Sequence, residues 1–361
     1  MAEHTMSRRS FLVGSAALIM SGAVAAMTGC TASGTGAAAG TSSASGSASA
    51  GGTITMVWLP DNSSADLTSS REAIGSAIKA ACGRDAELMT TTDYNVAIEA
   101  IASGQAQMAL LGPEGYVQAN KQNPAVQAAF TNSDEEGGLD GACYYSRICV
   151  KTDNADKYKS GDTYSIDNIK GGSFSFVSAT STSGFKVPSS TIVSHFGLDS
   201  SDELLEGGSF FPEVLFGNSH QGSAVNLLSG DADAAAFDDV DVDMYFDLVE
   251  GDANTVGAVY QVKDDAEAPF DSVRGEKFTI IGISAVLNSP FCFNEDALDE
   301  DTRTAITDYF CSDAVASDPA IFVDPDDESA KGIFEKGSDK TCFVEVDDAW
   351  YEPIRQLGGA A

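Results

Sequence analysis

The sequence predicts an α/β protein of two lobes with a cleft between them. The chain has 361 residues, which is enough for two lobes of ordinary size. Hydrophobic residues make up 43% of the chain, a fraction that supplies packed cores, and charged residues make up an ordinary 20%. From residue 53 onward, short apolar runs with strand character alternate with segments of helical spacing.

Charge, cysteine and histidine content exclude several classes of function. The 54 acidic and 20 basic residues give a net charge of −34, which argues against nucleic acid as a partner, because phosphate backbones need clustered Lys and Arg. With three histidines and no CxxC pair, the sequence predicts neither a metal centre nor a cofactor. Because the net charge is strongly negative, any anionic ligand would have to be held by local N–H and O–H donors.

The N-terminal segment predicts export and a lipid anchor. Ser7–Leu12 carries a twin-arginine pattern, with a Sec-type signal as the alternative, and the apolar stretch that follows is too short and weakly apolar for a transmembrane helix. Met27–Cys30 resembles the lipobox of bacterial lipoproteins, which implies that residues 1–29 are removed and that Cys30 carries a diacylglycerol. Residues 31–52 contain only Ala, Ser, Thr and Gly, a composition typical of a flexible tether. We therefore expect a domain held by lipid on the outer face of the cell membrane.

The first half of the folded region opens with a β-rich run that Pro60 ends. Asp93 is a suitable N-cap for the apolar helix that starts at Tyr94 and stops at Gly104. The predicted elements of this half are strands at Thr53–Leu59, Ala86–Met89, Gln107–Leu111 and Cys143–Lys151, and helices at Thr68–Cys82, Tyr94–Gly104 and Pro113–Gln122.

The same alternation continues through the second half of the chain. It is typical of mainly parallel sheets that are covered by helices on both faces. The predicted elements of this half are strands at Ser173–Ser178, Val214–Phe216, Ala232–Phe237, Ala258–Val262 and Phe278–Leu287, and helices at Glu295–Cys311 and Asp347–Leu357.

Two such αβ lobes, joined by two long strands that cross between them, make the periplasmic-binding-protein type II architecture. We place the crossings near 146–152 and 260–280. Lobe 1 then comprises residues 53–151 and 263–361, and lobe 2 comprises residues 152–262. In such folds a ligand binds in the cleft, where strand ends and helix N-termini face each other.

The best candidate for an anion site is the run Thr180–Gly184. It follows an apolar strand and precedes a helix, so its four hydroxyls and several backbone N–H groups gather at a helix N-terminus. Gly184 allows the backbone to approach a ligand closely. The alternative is a Ser/Thr-rich helix cap that binds nothing.

Five segments resemble one family, in the same order along the chain. Ser181–Pro188, with the sequence STSGFKVP, resembles the S-T-S-G-[FY]-x-x-P segment of the substrate-binding proteins of phosphonate, phosphite and phosphate ABC transporters. The resemblance covers roughly residues 53–290. The other four matching segments are Asp93–Tyr94, Leu110–Pro113, Tyr144–Ser146 and the block from His220 to Ala235.

The resemblance implies a receptor that closes on a phosphorus oxyanion and delivers it to an ABC permease with its ATPase. Relatives that bind aminoalkyl phosphonates offer two carboxylates to the ammonium group, and Asp238 or Asp239 could supply one of them. Since Thr279–Ser284 contains no acid where the second is expected, phosphite, phosphate or a small alkylphosphonate is the favoured ligand. The implied ligand-binding residues are Tyr94, Tyr144, Ser181, Thr182, Ser183, His220 and Asp239.

Two other functions stay open. The first is a secreted phosphoester hydrolase, against which stand the missing metal ligands, nucleophile–base pair and arginine cluster. The second is a receptor with the same cleft that feeds a sensor protein. Gene neighbours that encode a permease and an ATPase would favour transport over sensing.

Two further features of the sequence indicate no function. The aspartates between residues 231 and 243 lack the spacing of a calcium-binding loop, so the sequence predicts a solvated acidic face there. Of the six cysteines in the body, Cys143 and Cys149 lie on one predicted strand and should not pair with each other. No disulfide is predicted for the others.

Overall fold

The computed structural model describes residues 52–325, 327 and 331–357. The expected signal peptide, Cys30 and all of the tether except Gly52 lie outside these residues. In the described part of the chain, no helix has both the length and the apolar character needed to cross a membrane. Its six cysteines are free thiols.

The folded body consists of two large sheets and the helices that cover them. The strands of these sheets are β1 (Ile54–Trp58), β2 (Ala86–Thr90), β3 (Met108–Leu110), β4 (Val126–Asn132), β5 (Cys143–Lys151), β6 (Phe174–Phe176), β7 (Val214–Phe216), β8 (Ala234–Asp238), β9 (Phe246–Glu250), β10 (Val259–Val262), β11 (Lys277–Leu287), β12 (Phe291–Asn294) and β13 (Phe343–Glu345). The helices are α1 (Thr68–Cys82), α2 (Tyr94–Ala102), α3 (Pro113–Gln122), α4 (Val187–Phe196), α5 (His220–Leu228), α6 (Glu300–Phe310), α7 (Asp313–Ala316) and α8 (Glu352–Gln356).

Each lobe is built on one of the sheets. The six-stranded lobe has the strand order β13-β4-β12-β3-β1-β2, and the seven-stranded lobe has the order β9-β10-β11-β5-β8-β6-β7. The two-lobe prediction is confirmed, but the sheets are mixed and not mainly parallel. Only β1–β2, β1–β3, β6–β8 and β6–β7 are parallel pairs in these two sheets. In the six-stranded sheet the antiparallel pairs are those of β4, β12 and β13, three strands that the sequence analysis did not predict. In the seven-stranded sheet β5 pairs antiparallel with β8 and β11, and β10 pairs antiparallel with β9 and β11.

Alternating apolar side chains place a core on each face of both sheets. In β1, Ile54, Met56 and Trp58 contribute to one core, and Val57 contributes to the other. Helices α1 and α6 cover the first of these faces, and α2 and α3 cover the second. In the seven-stranded lobe, α5 and α4 cover opposite faces in the same way. The expected helices on both faces are therefore present.

The chain passes between the sheets at residues 133–142 and 288–290, not near 146–152 and 260–280 as expected. The reason is that β5 and β11 pair with each other along their whole length, from Lys151 with Phe278 to Cys143 with Leu287, inside the seven-stranded sheet. This sheet consequently uses more of the chain than the expected second lobe, 152–262.

One buried side chain ties the two connections together. Asn288 is 4% exposed; its backbone N–H donates to the carbonyl of Ala142 over 3.3 Å, and its Nδ2 donates to the carbonyl of Asn132 over 2.8 Å. Thr131 donates in turn to the carbonyl of Ser289 over 2.8 Å. The outgoing and returning segments are thus held side by side.

Candidate ligand-binding site

A cavity of about 290 Å³ lies where the two lobes face each other. Loops from the carboxyl ends of parallel strands form much of its wall, as is usual for ligand sites in open α/β sheets. The seven residues expected to bind the ligand all line this cavity: Tyr94, Tyr144, Ser181, Thr182, Ser183, His220 and Asp239. The eighth predicted site residue, Cys30, lies outside the described residues.

The turn after β6, which we call the donor turn (Ser181–Gly184), opens a π-helical segment, Thr182–Lys186. Ser181 caps it, because its Oγ accepts a hydrogen bond from the Gly184 N–H over 3.0 Å. Like the first N–H groups of any helix, those of Thr182 and Ser183 have no partner within the segment. The three hydroxyl-bearing residues are 1–2% exposed, so the turn offers desolvated donors to the cavity.

Gly184 is required by the tight approach of this turn to β6. A Cβ at this position would lie 2.2 Å from Val177 Cγ2 and 2.8 Å from Ser181 Oγ. The glycine carbonyl also accepts the Val177 N–H over 3.1 Å. The turn is therefore held against the strand end by a contact that leaves no room for a side chain.

His220 is the first residue of α5 and reaches the same wall. The Asp238 backbone N–H donates to His220 Nδ1 over 2.9 Å, which fixes the neutral tautomer with its hydrogen on Nε2. Nε2 lies 3.3 Å from Ser183 Oγ and 3.4 Å from Ser181 Oγ. A histidine at this position could donate a hydrogen bond as a neutral imidazole, or it could supply a positive charge. The geometry supports the neutral donor.

The two tyrosines come from the six-stranded lobe and from β5. Tyr94 and Tyr144 are 4% and 6% exposed, and burial raises the pKa of each phenol well above its usual value. Neighbouring carboxylates act in the same direction, with Asp61 close to Tyr94 and Asp238 close to Tyr144. Both phenols therefore keep their protons.

Asp61 is a cleft residue that the sequence reasoning missed. It lies just after β1, is 2% exposed, and its Oδ1 accepts the His220 N–H over 2.6 Å from the opposite lobe. Its Oδ2 accepts the hydroxyl of Tyr94. A signal was available, because a polar residue just beyond the carboxyl end of a parallel strand is a site candidate.

The loop after β8, which we call the acidic loop (Asp238–Asp243), forms the other half of the wall. The expected solvated face is wrong here, because Asp238 is 2% exposed and Asp241 is half-buried. Burial raises the pKa of Asp238 to about 6 and that of Asp241 well above its usual range. The prediction holds further upstream, where Asp231 and Asp233 are exposed.

A buried arginine supports the acidic loop from behind. Arg147 has no exposed surface and forms a bidentate pair with Asp243, with N···O distances of 2.5 and 2.7 Å. It also donates to Asn254 Oδ1, whose Nδ2 donates to Asp239 over 2.9 Å. The pKa of Asp243 is nevertheless raised to about 6 by burial, which outweighs the opposing effect of Arg147.

The described residues contain one group of potential metal ligands in this cleft. Asp61, His220 and Asp241 each offer an atom within 4.8 Å of the others. However, both oxygens of Asp61 and Nδ1 of His220 already accept hydrogen bonds from protein donors. The group is better explained as a hydrogen-bonded network than as a metal centre.

The lobes contact each other directly at the donor turn. The Glu114 N–H, at the start of α3, donates to Thr182 Oγ1 over 2.8 Å. Lys186 lies 3.6 Å from the Glu114 carboxylate across the same junction. Thr182 therefore belongs to the cavity wall and to the contact between the lobes.

Comparison with known proteins agrees with this architecture. A protein of Pseudomonas aeruginosa, described as a binding protein component of an ABC phosphonate transporter, has a similar fold, with a TM-score of 0.61, 17% identity and 85% of each chain covered. PhnD1 of Prochlorococcus marinus (MIT 9301), solved in complex with methylphosphonate, has a TM-score of 0.58 and 14% identity, over 84% of this chain and 96% of its own. These likenesses confirm the two-lobe fold.

A curated relative and a family model extend the comparison to sequence. The phosphate-import protein PhnD of Mycolicibacterium smegmatis (strain ATCC 700084 / mc(2)155) is 26% identical over 223 residues, which is 59% of this chain, and the chain spans 66% of that protein's length. The model of the periplasmic substrate-binding proteins of phosphonate ABC transporters matches residues 56–351. The matched range includes both lobes and every cavity residue named above, so the chain belongs to that family.

Proposed function

We propose that this protein captures a phosphorus oxyanion outside the cytoplasm and delivers it to an ABC permease and its ATPase. The ligand class is phosphite, phosphate or a small alkylphosphonate. A lipid on Cys30 holds the receptor to the outer face of the membrane, and residues 31–52 tether it. The family is one of binding proteins, so binding and release are the proposed activity, and chemical turnover is not.

The observation that carries this proposal is the donor turn in the cavity. Hydroxyl and N–H groups of Ser181, Thr182 and Ser183 face a desolvated cleft at a helix N-terminus, where each hydrogen bond to an anion is stronger than in water. Hydrogen bonds to a charged group contribute about 1.5–3 kcal/mol each, so a few suffice for micromolar binding without a lysine or arginine. Tyr144 adds a protonated phenol, and Tyr94, whose hydroxyl donates to Asp61, places a second phenol oxygen at the cavity wall.

A second candidate is a phosphonate that carries a cationic substituent. The absence of an acid in Thr279–Ser284 argues against such a ligand. However, other carboxylates line the cavity, those of Asp239, Asp241, Asp243 and Glu335. Because these acids could pair with an ammonium group, an aminoalkyl phosphonate belongs in the test.

Thermal unfolding of the purified protein tests the proposal with phosphite, phosphate, methylphosphonate, 2-aminoethylphosphonate and sulfate. A ligand at about a hundred times its dissociation constant should stabilise the protein by about 2.7 kcal/mol, which raises the melting temperature by several degrees. We expect a shift with at least one phosphorus oxyanion and its loss in a Ser181→Ala/Thr182→Ala double variant. If 2-aminoethylphosphonate gives the largest shift, the second candidate is the ligand.

The matched control is Ser194→Ala/Thr163→Ala, which removes the same atoms at positions outside the cavity, Ser194 and Thr163 both being exposed. It should keep the wild-type shift. An unshifted melting curve with all five compounds would contradict the ligand class and leave Ser181 as an ordinary helix cap.

A further inference from the structure

Two of the side chains proposed to hold the oxyanion already contact one carboxylate, that of Asp238. The Ser183 hydroxyl donates to Asp238 Oδ2 over 3.0 Å, and His220 Nε2 lies 3.2 Å from the same oxygen. Asp238 is 2% exposed, so water does not replace these donors. An ionised carboxylate accepts hydrogen bonds and donates none, so an oxyanion placed beside it meets another acceptor.

Among the described residues, the cavity surface offers no cationic side chain that would offset this negative charge. None of the described residues that line the cavity is Lys or Arg. Arg147, behind the wall, is engaged by Asp243. Asp61 and Asp241 place further carboxylates close to His220. A doubly charged oxyanion would therefore face like charges at short range, where the low dielectric strengthens their repulsion.

We propose that the cleft takes up one proton together with its oxyanion, and that Asp238 is the specificity-determining residue at which this proton is held. The inference rests on the proposed function, since it concerns the same ligand. The proton comes from solvent or arrives on the oxyanion, and no other covalent bond forms or breaks. Once protonated, Asp238 loses its charge and gains an O–H donor. The Ser183 hydroxyl and His220 Nε2–H then become available to the ligand.

Hydrogen bonding assigns the proton to Asp238 and not to His220. Both ring nitrogens of His220 are engaged, Nδ1 by the Asp238 N–H and Nε2 by its own hydrogen, directed at Asp238 and the serine hydroxyls. A second ring proton would break the contact with the Asp238 N–H. The carboxylate has no such obstacle, because its Oδ2 can carry a hydrogen toward the cavity.

The surroundings of Asp238 favour its protonated form. Burial raises the pKa of this carboxyl to about 6; His220 opposes the rise, and the carboxylates of Asp239 and Asp61 add to it. A bound oxyanion adds another like charge and raises the pKa further. The titratable groups that face Asp238 are His220 of α5, Asp61 after β1, Asp239 and Asp241 of the acidic loop, Tyr94 of α2 and Tyr144 of β5.

Isothermal titration calorimetry with phosphite and with methylphosphonate tests this inference. Titrations at about pH 9, where both probes are doubly ionised, in two buffers of different ionisation enthalpy, count the protons taken up. The wild type should take up about one proton per ligand, and its affinity should fall about tenfold per pH unit above pH ~7.5. Asp238→Asn should take up no proton, and its affinity should vary little with pH.

Asp231→Asn is the matched control, because it removes the same charge at an exposed position and should keep the wild-type proton count. Wild-type binding without proton uptake, or an Asp238→Asn variant with the wild-type count and pH slope, overturns the inference and leaves the proposed function intact. A wild type that binds neither probe at any pH contradicts the proposed function itself. If Asp238→Asn does not fold, the wild-type count still tests the uptake of the proton, and a count near zero overturns the inference.

Discussion

The donor turn and the acidic loop follow neighbouring parallel strands of one sheet, yet their chemistry is opposite. The donor turn follows β6 and presents hydroxyl and N–H groups, whereas the acidic loop follows β8 and presents carboxylates. They meet where the Ser183 hydroxyl donates to Asp238 over 3.0 Å. The strand ends determine where these side chains lie, and the residue types determine whether they attract an anion or repel it.

The two segments also differ in how far their role depends on the rest of the molecule. The donor turn carries its own cap at Ser181 and its own close approach at Gly184. The acidic loop is solvated or buried according to what packs over it, here Arg147 from β5 and Asp61 from the opposite lobe. Local structure thus explains the turn, and tertiary structure explains the loop.

The largest effect is expected from removing the support of the acidic loop. Arg147→Met should lower the free energy of unfolding by about 3 kcal/mol, because it removes a fully buried guanidinium and leaves the half-buried Asp243 carboxylate and Asn254 Oδ1 without their donors. Urea denaturation measures the change. Arg274→Met, at an exposed arginine whose Nε donates to the carbonyl of Ala266 over 2.8 Å, should cost about 1 kcal/mol or less. If both substitutions lower the free energy of unfolding by the same amount, the ion pair between Arg147 and Asp243 does not stabilise the acidic loop as proposed.

A smaller effect is expected from distorting the donor turn. Gly184→Ala should cost about 1–3 kcal/mol, because the new Cβ would lie 2.2 Å from Val177 Cγ2. It should also abolish the ligand-induced rise in melting temperature, since the turn must move. Gly208→Ala, whose nearest neighbour would be 3.9 Å away, should retain both the stability and the ligand response. If the Gly184→Ala protein keeps the ligand-induced rise in melting temperature, ligand binding does not depend on the geometry of the donor turn.

The smallest effect is a pH dependence of stability that arises in the acidic loop. The pKa of Asp238 is raised to about 6 in the folded protein, above the unfolded value of about 3.9, so the folded state binds more protons between these values. Lowering the pH from about 7.5 to about 5.5 should therefore stabilise the wild type, with a contribution of about 1 kcal/mol from Asp238. Asp238→Asn should lose that contribution when both proteins are unfolded with urea at the two pH values. If the lower pH raises the free energy of unfolding of Asp238→Asn by as much as that of the wild type, the effect comes from the net charge of the chain and not from Asp238.

Elements with strong local signals were predicted from the sequence. The bounds expected for α1, α3 and β5 agree with the structure, and Asp93 caps α2 as predicted. The strands β4, β12 and β13 were missed, because they acquire strand pairing from partners far away in the chain. Their absence explains the parallel expectation for the six-stranded sheet only, because in the seven-stranded sheet the predicted strands β5, β8, β10 and β11 themselves pair antiparallel.

The candidate site likewise combines residues that have a local sequence signal with residues that only tertiary contacts bring together. Ser181–Gly184 and His220 were predicted because the motifs that contain them are contiguous. Asp61 was missed because its contact with the His220 N–H joins residues 159 positions apart in the sequence. The burial of Asp238 was missed for the same reason, since composition alone does not show which elements will close over an acidic segment.

Asn288, which ties the outgoing and returning connections to each other, has a mechanical consequence. Two independent linkers would allow the lobes to twist and shear as well as open. Linkers fastened side by side leave one principal degree of freedom, rotation about a line through the fastening. We therefore expect capture and release to follow the same path in opposite directions, with the cleft opening at the rim farthest from Asn288.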